Sequence, residues 1–121
     1  MRPEERDIAN LWDMHMAARD AVRILGELNM DQFLDSEHET IRLAIERELE
    51  ILGEAARRMS ERLREDHPEI PWKDVIGLRN VISHQYDKVN YEEIFGIVRD
   101  RLPMVLKALA PLIPPPPEME A

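Results

Sequence analysis

Apolar residues recur at helical spacing through almost the whole chain, and no segment alternates as a half-buried strand would. That pattern confines the chain to an all-α fold. Ile8, Leu11, Trp12, His15, Ala18, Val22, Leu25 and Leu28 fall on one stripe, predicting a helix over about 5–29 that Asn29-Met30-Asp31 breaks. Ser36 is placed to be an N-cap, with Glu39 three residues on completing a capping box. The second helix then runs to about Arg64 on Ile41, Ile45, Leu49, Leu52, Ala55, Ala56, Met59 and Leu63, and Asp66-His67-Pro68 ends it. Gly53 in its middle costs about 1 kcal/mol relative to alanine. Such a glycine most often permits close approach of another helix.

Pro71 suits the first turn of a third, short helix from Trp72 to about Ile82, followed by a loop from Ser83 to Val89. Asn90 caps a fourth helix, with Glu93 at the third position. That helix carries Ile94, Phe95, Val98, Leu102, Val105, Leu106 and Leu109, and Pro103 is expected to kink it. The expectation is an all-α bundle of two long and two shorter helices over residues 1–112. Residues 113–121, with Pro114 to Pro117, form a proline-rich tail.

The chain has no cysteine, which excludes disulfides, thiolate metal sites and thiol nucleophiles. No apolar run approaches the roughly 20 residues that span a bilayer. The N-terminal residues lack the apolar stretch of a signal peptide, so the expected location is the cytoplasm, without a membrane partner. A net charge of −9 argues against a nonspecific nucleic-acid binder. The charge is uneven: residues 1–40 hold 10 acids against 4 bases, and residues 41–121 hold 15 against 12. Solubility accounts for the acidic half more simply than a basic partner does. Any nucleic acid must therefore bind a local basic cleft.

The segment Arg79-Asn80-Val81-Ile82-Ser83-His84-Gln85-Tyr86 lies where the third helix ends. Arginine carries a permanent cation on a forked donor array. Histidine exchanges protons near neutral pH. Together they can cleave a phosphodiester without a metal, one moving protons and the other holding the charge that builds on phosphorus. On a regular helix, five positions turn two side chains about 140° apart. Arg79 and His84 therefore converge only if the helix ends between them or if two chains each contribute one. Asn80 adds an amide that can orient phosphate or water. Ser83 reads as a cap or loop hydrogen-bonder, since nothing nearby resembles an activating triad. A lone histidine at a helix end is more often a cap than a catalyst. His15 reads as a packing residue, and His38 and His67 as caps or solvated groups. No histidine or acid pair has metal-ligand spacing. Glu46, Glu50 and Glu54, at i, i+4 and i+8, read as a solvated face, although Glu54, beside Gly53, is placed to approach a partner helix and is assigned no chemistry.

The Arg79…His84…Tyr86 spacing resembles the Arg-x4–6-His signature of HEPN domains, and in its Arg-x4-His-x-Tyr form that of the HepT toxin family. Glu50-Ile51-Leu52-Gly53-Glu54-Ala55 is similar to a segment of that family's long second helix. The stretch from Pro71 to Asn80 is similar to the one leading into its catalytic arginine, and Leu102-Pro103 also fits. The resemblance covers roughly residues 6–112.

It implies a four- or five-helix HEPN bundle forming a homodimer, with two motifs facing across a cleft on the two-fold axis. It implies a metal-independent RNA endonuclease toxin, needing no cofactor, of a type VII-like toxin–antitoxin module. Arg79 and His84 would be the catalytic pair and Asn80 a supporting polar residue. Tyr86 would accept AMP from a minimal nucleotidyltransferase antitoxin. An acidic RNase must gather its bases near the motif. Arg57, Arg58, Arg62 and Arg64 on the second helix, with Lys73 and Lys88, are candidates, and Arg57, Arg58 and Lys88 are preferred as RNA contacts. The alternative is a non-catalytic HEPN dimer that binds the nucleotidyltransferase or a nucleotide.

Overall fold

The computed structural model describes residues 3–83 and 89–114. In these residues every regular element is a helix or a helical turn, and there is no strand. Helix α1 (Pro3–Leu25) is followed by a short α2 (Met30–Leu34), a 3-10 turn (Ser36–His38) and the long α3 (Glu39–Arg58). Then come α4 (Glu61–Asp66), α5 (Trp72–Ile76) and α6 (Leu78–Val81). The last helical run is α7 (Tyr91–Gly96), a π-helical turn (Ile97–Arg101) and α8 (Leu102–Leu109), closed by a 3-10 turn (Ala110–Leu112).

The most extensive packing is between α1 and α3, with α8 laid against α1 and with α5 and α6 against α3. Met14, Ala18, Ala21 and Leu25 from α1 meet Ile45, Leu49, Leu52 and Ala56 from α3, and Val98, Leu102, Val105 and Leu109 complete the core. Each such large side chain contributes about 1.5–3 kcal/mol on leaving water. Phe33 is fully buried and meets the rings of Tyr91 (6.2 Å, edge-on) and Phe95 (5.7 Å), tying α2 to α7.

The all-α expectation holds, and several boundaries move for local reasons. Helix α1 ends at Leu25, not near 29, because Gly26 takes φ 53°, a left-handed conformation that closes the helix. The capping box forms at Asn29 and Gln32, where side chain and backbone bond reciprocally, and not at Ser36 and Glu39. Asp35 caps the turn that contains Ser36. The second helix does not reach Arg64: Met59 is extended, and Ser60 begins α4 by accepting from the Leu63 amide. Arg62 and Arg64 therefore lie on a different element from Arg57 and Arg58. Asp7 anchors that break, accepting from both the Ser60 amide and its hydroxyl. The third helix is split at Gly77 into α5 and α6.

Pro103 has no amide to offer the Arg99 carbonyl. The turn immediately before it widens, the Leu102 amide bonding five residues back to Ile97. Arg99, in that turn, reaches the carbonyls of Gly26 (2.9 Å) and Leu28. Ile113 packs against the core, and residues 115–121, most of the expected tail, lie outside the described residues. No helix of the described residues is long and apolar enough to cross a membrane.

Candidate active site

Gly53 lets α5 and α6 lie directly on α3. A Cβ there would sit 3.2 Å from the Val75 carbonyl oxygen and 3.4 Å from Cγ of Arg79. The close approach expected of this glycine is thus made by the very turn that presents Arg79. Helix α6 ends at Val81, where the Ile82 amide bonds back to Leu78. A helix end between Arg79 and His84, one of the two conditions under which they converge, is therefore met. His84, Tyr86 and Lys88 themselves lie outside the described residues. Asn80 is exposed beside Arg79 on α6.

The side chain of Arg79 is half exposed and donates from Nη1 to Oε2 of Glu54 (3.2 Å). Glu54 also accepts from Arg57 through Nη2 (2.6 Å) and Nε (3.1 Å), and from Nε of Arg58 (3.1 Å). One carboxylate thus gathers three guanidiniums from two elements. The hydrogen bond from Arg57 is the chief reason its pKa falls to about 2, with the charges of Arg57, Arg58 and Arg79 adding to it. The cluster borders a groove of about 550 Å³ that also includes Arg47, Glu50, Ile51 and Asp13. A separate, more apolar groove of about 540 Å³, lined by Pro71, Val75, Leu78, Ile97 and Val105 among others, shares no residue with it.

The row Glu46, Glu50, Glu54 is not the solvated face its spacing suggests. Glu46 is buried and accepts from the Tyr91 hydroxyl (2.6 Å) at the start of α7. Burial, then the bond to that carboxylate, pushes the Tyr91 phenol up to about 12. Arg42 stacks over the same ring at 5.3 Å and donates to the carbonyls of Phe33 and Asp35. Glu54 therefore meets the element before residues 84–88, and Glu46 meets the element after them. Only Glu50 is left to solvent and a surface pair with Arg47 (3.3 Å).

The sequence points to Arg79, Asn80, Arg57 and Arg58, marks Glu54 only as a group able to approach a partner helix, and gives no sign of the roles of Glu46 and Tyr91. A signal for Glu54 exists: arginines at i+3 and i+4, beside a mid-helix glycine. The other histidines lie at helix ends or pack, and His38 makes no side-chain capping bond to α3. His38 precedes α3 and bonds Asp35 (2.9 Å), His67 ends α4, and His15 packs edge-on to Trp12. Among the described residues no group of three or more His, Asp or Glu could hold a metal ion.

The chain is thus an all-α bundle with Arg79 near the end of a short helix, joined through Glu54 to Arg57 and Arg58. The family model described as "Ribonuclease HepT-like" matches residues 14–112, and the chain belongs to that family. It is 35% identical over 104 residues to a protein of Methanocaldococcus jannaschii named as a candidate RNase, covering 85% of this chain and 94% of that one. A second protein of that organism, named in the same way, is 30% identical over 111 residues, covering 92% and 90%. A Thermococcus cleftensis protein named as a probable ribonuclease HepT is 33% identical over 60 residues, covering 50% and 54%. No solved structure matches the chain at a significant level.

Proposed function

We propose that this chain is a metal-independent RNA endonuclease, the toxin of a type VII-like toxin–antitoxin module. The observation that carries the reading is Arg79, a helix-end cation half open to solvent beside a groove of further arginines, in a chain of the ribonuclease HepT-like family. Arg79 stabilises the pentavalent phosphorus, where charge builds. His84 removes the proton of the ribose 2′-hydroxyl or protonates the departing 5′-oxygen, and two copies in a homodimer divide these roles. The product is a 2′,3′-cyclic phosphate. Asn80 orients the phosphate or a water, and Arg57, Arg58 and Lys88 hold flanking phosphates.

Tyr86 is the switch. A cognate minimal nucleotidyltransferase transfers AMP from ATP to its hydroxyl, the phenol oxygen displacing pyrophosphate and losing its proton. The transfer brings bulk and negative charge to the motif and repels phosphate. Two measurements test the reading. Purified protein in EDTA is expected to cut RNA and leave cyclic phosphate ends, and cleavage abolished by EDTA would refute the mechanism. Mass spectrometry of protein co-expressed with the nucleotidyltransferase is expected to find AMP on Tyr86 and nowhere on Tyr86→Phe. A HEPN dimer that only binds the nucleotidyltransferase or a nucleotide would cut nothing in the first assay.

A further inference from the structure

Glu54 sits among three arginines and is assigned no part in the chemistry above. We propose that it is the positioning residue that holds Arg79 ready for phosphate, an inference that rests on Arg79 being the phosphate-binding group. The bond to Glu54 uses Nη1 of Arg79. The opposite edge of the guanidinium, Nε and Nη2, has no partner among the described residues. It is the edge that donates two parallel hydrogen bonds to a phosphate. A long, half-exposed side chain otherwise samples many rotamers. Held by one nitrogen, it keeps the two-donor edge pointed one way.

Three further features make Glu54 suited to the task. It stands on α3, the best-packed helix of the bundle, one residue from the glycine against which α6 rests. Arg57 and Arg58 approach it from the same helix, so its carboxylate is itself held on both oxygens. One negative charge among three positive ones lets the guanidiniums crowd together while leaving the cluster cationic. The opposing view is that Glu54 competes with phosphate for Arg79 and restrains the enzyme. The two views give opposite signs for its removal.

The test is Glu54→Gln, which keeps size and solvent exposure and removes the charge. The Nε–H signal of Arg79, assigned by its loss in Arg79→Lys, is followed by 15N relaxation in both proteins. It is expected to be ordered in the parent and mobile in Glu54→Gln, with both chains melting within a few degrees of each other. RNA cleavage is expected to lose about 10- to 100-fold in kcat, the scale for a misplaced catalytic group, while KM stays within about twofold. Glu54→Gln in an Arg79→Ala background is expected to add nothing. An equally ordered Arg79 in both proteins overturns the inference, as does an unchanged or raised kcat. A parent protein that cuts no RNA refutes the proposed function instead, and the relaxation measurement still decides whether Glu54 positions Arg79.

Discussion

Glu54 carries a pH signature of its own. Its pKa is depressed from 4.5 to about 2, so its contribution is fully present above 4.5 and is lost as pH falls through 2. The Glu54 carboxyl carbon is expected to titrate in NMR with a midpoint near 2, and a midpoint near 4.5 would show that the arginine clasp does not form in solution. Tyr91 behaves in the opposite sense. Its pKa is raised from 10.0 to about 12, so its contribution is complete below 10 and is lost as pH rises through 12. Absorbance titration of Tyr86→Phe, which leaves Tyr91 as the sole tyrosine, is expected to show that late ionisation. Tyr91→Phe takes one hydrogen bond from a buried carboxylate and is expected to cost about 1.5–3 kcal/mol in urea unfolding. At this scale the sequence displayed Arg79 and Asn80, because a polar run at a helix end stands out. It hid Glu46, because an i, i+4, i+8 row of acids looks the same whether it faces water or a buried phenol, and it showed Glu54 only as a neighbour of Gly53 able to approach another helix.

Helix α3 organises the site through one missing methyl group. Gly53→Ala gains about 1 kcal/mol of helix propensity, yet the new Cβ presses on the Val75 carbonyl at 3.2 Å and so on the α5–α6 turn that carries Arg79, whose Cγ it meets at 3.4 Å. The melting temperature is therefore expected to move by only a few degrees, while RNA cleavage falls at least several-fold as Arg79 is displaced. Cleavage unchanged in this variant would mean that the contact does not set the position of Arg79. The break between α3 and α4 rests on Ser60, which caps Leu63 and bonds Asp7 of α1. Ser60→Ala is expected to cost about 1–2 kcal/mol, measured by urea unfolding. Periodicity made the long helices legible, since Leu49, Leu52, Ala56 and Met59 keep one stripe. It also concealed this break, because Leu63 continues the stripe across it, and Leu63 stands where a capping box would carry glutamate. The widened turn before Pro103 was half legible. The proline announced a disturbance, but its form depends on how Arg99 and the core on either side are held.

At the scale of the molecule, an acidic chain keeps a cationic cluster on one groove, and on the proposed function that contrast sets how RNA binds. If Arg57, Arg58 and Arg79 each neutralise one phosphate, the logarithm of the binding constant falls with log salt at a slope of roughly −2. Arg58→Ala is expected to flatten that slope by about 0.7. A slope unaffected by Arg58→Ala would remove it from the RNA contacts. Net charge required a local basic patch, and the sequence already named Arg57 and Arg58 for it; what the fold adds is that Glu54 joins them on α3 to Arg79 on α6. The central claim is that Arg79 stabilises phosphate during RNA cleavage, and single-turnover cleavage in EDTA by parent and Arg79→Ala protein tests it most directly. A loss of at least about 100-fold with an unchanged melting temperature is the predicted result; equal rates for the two proteins would contradict the account.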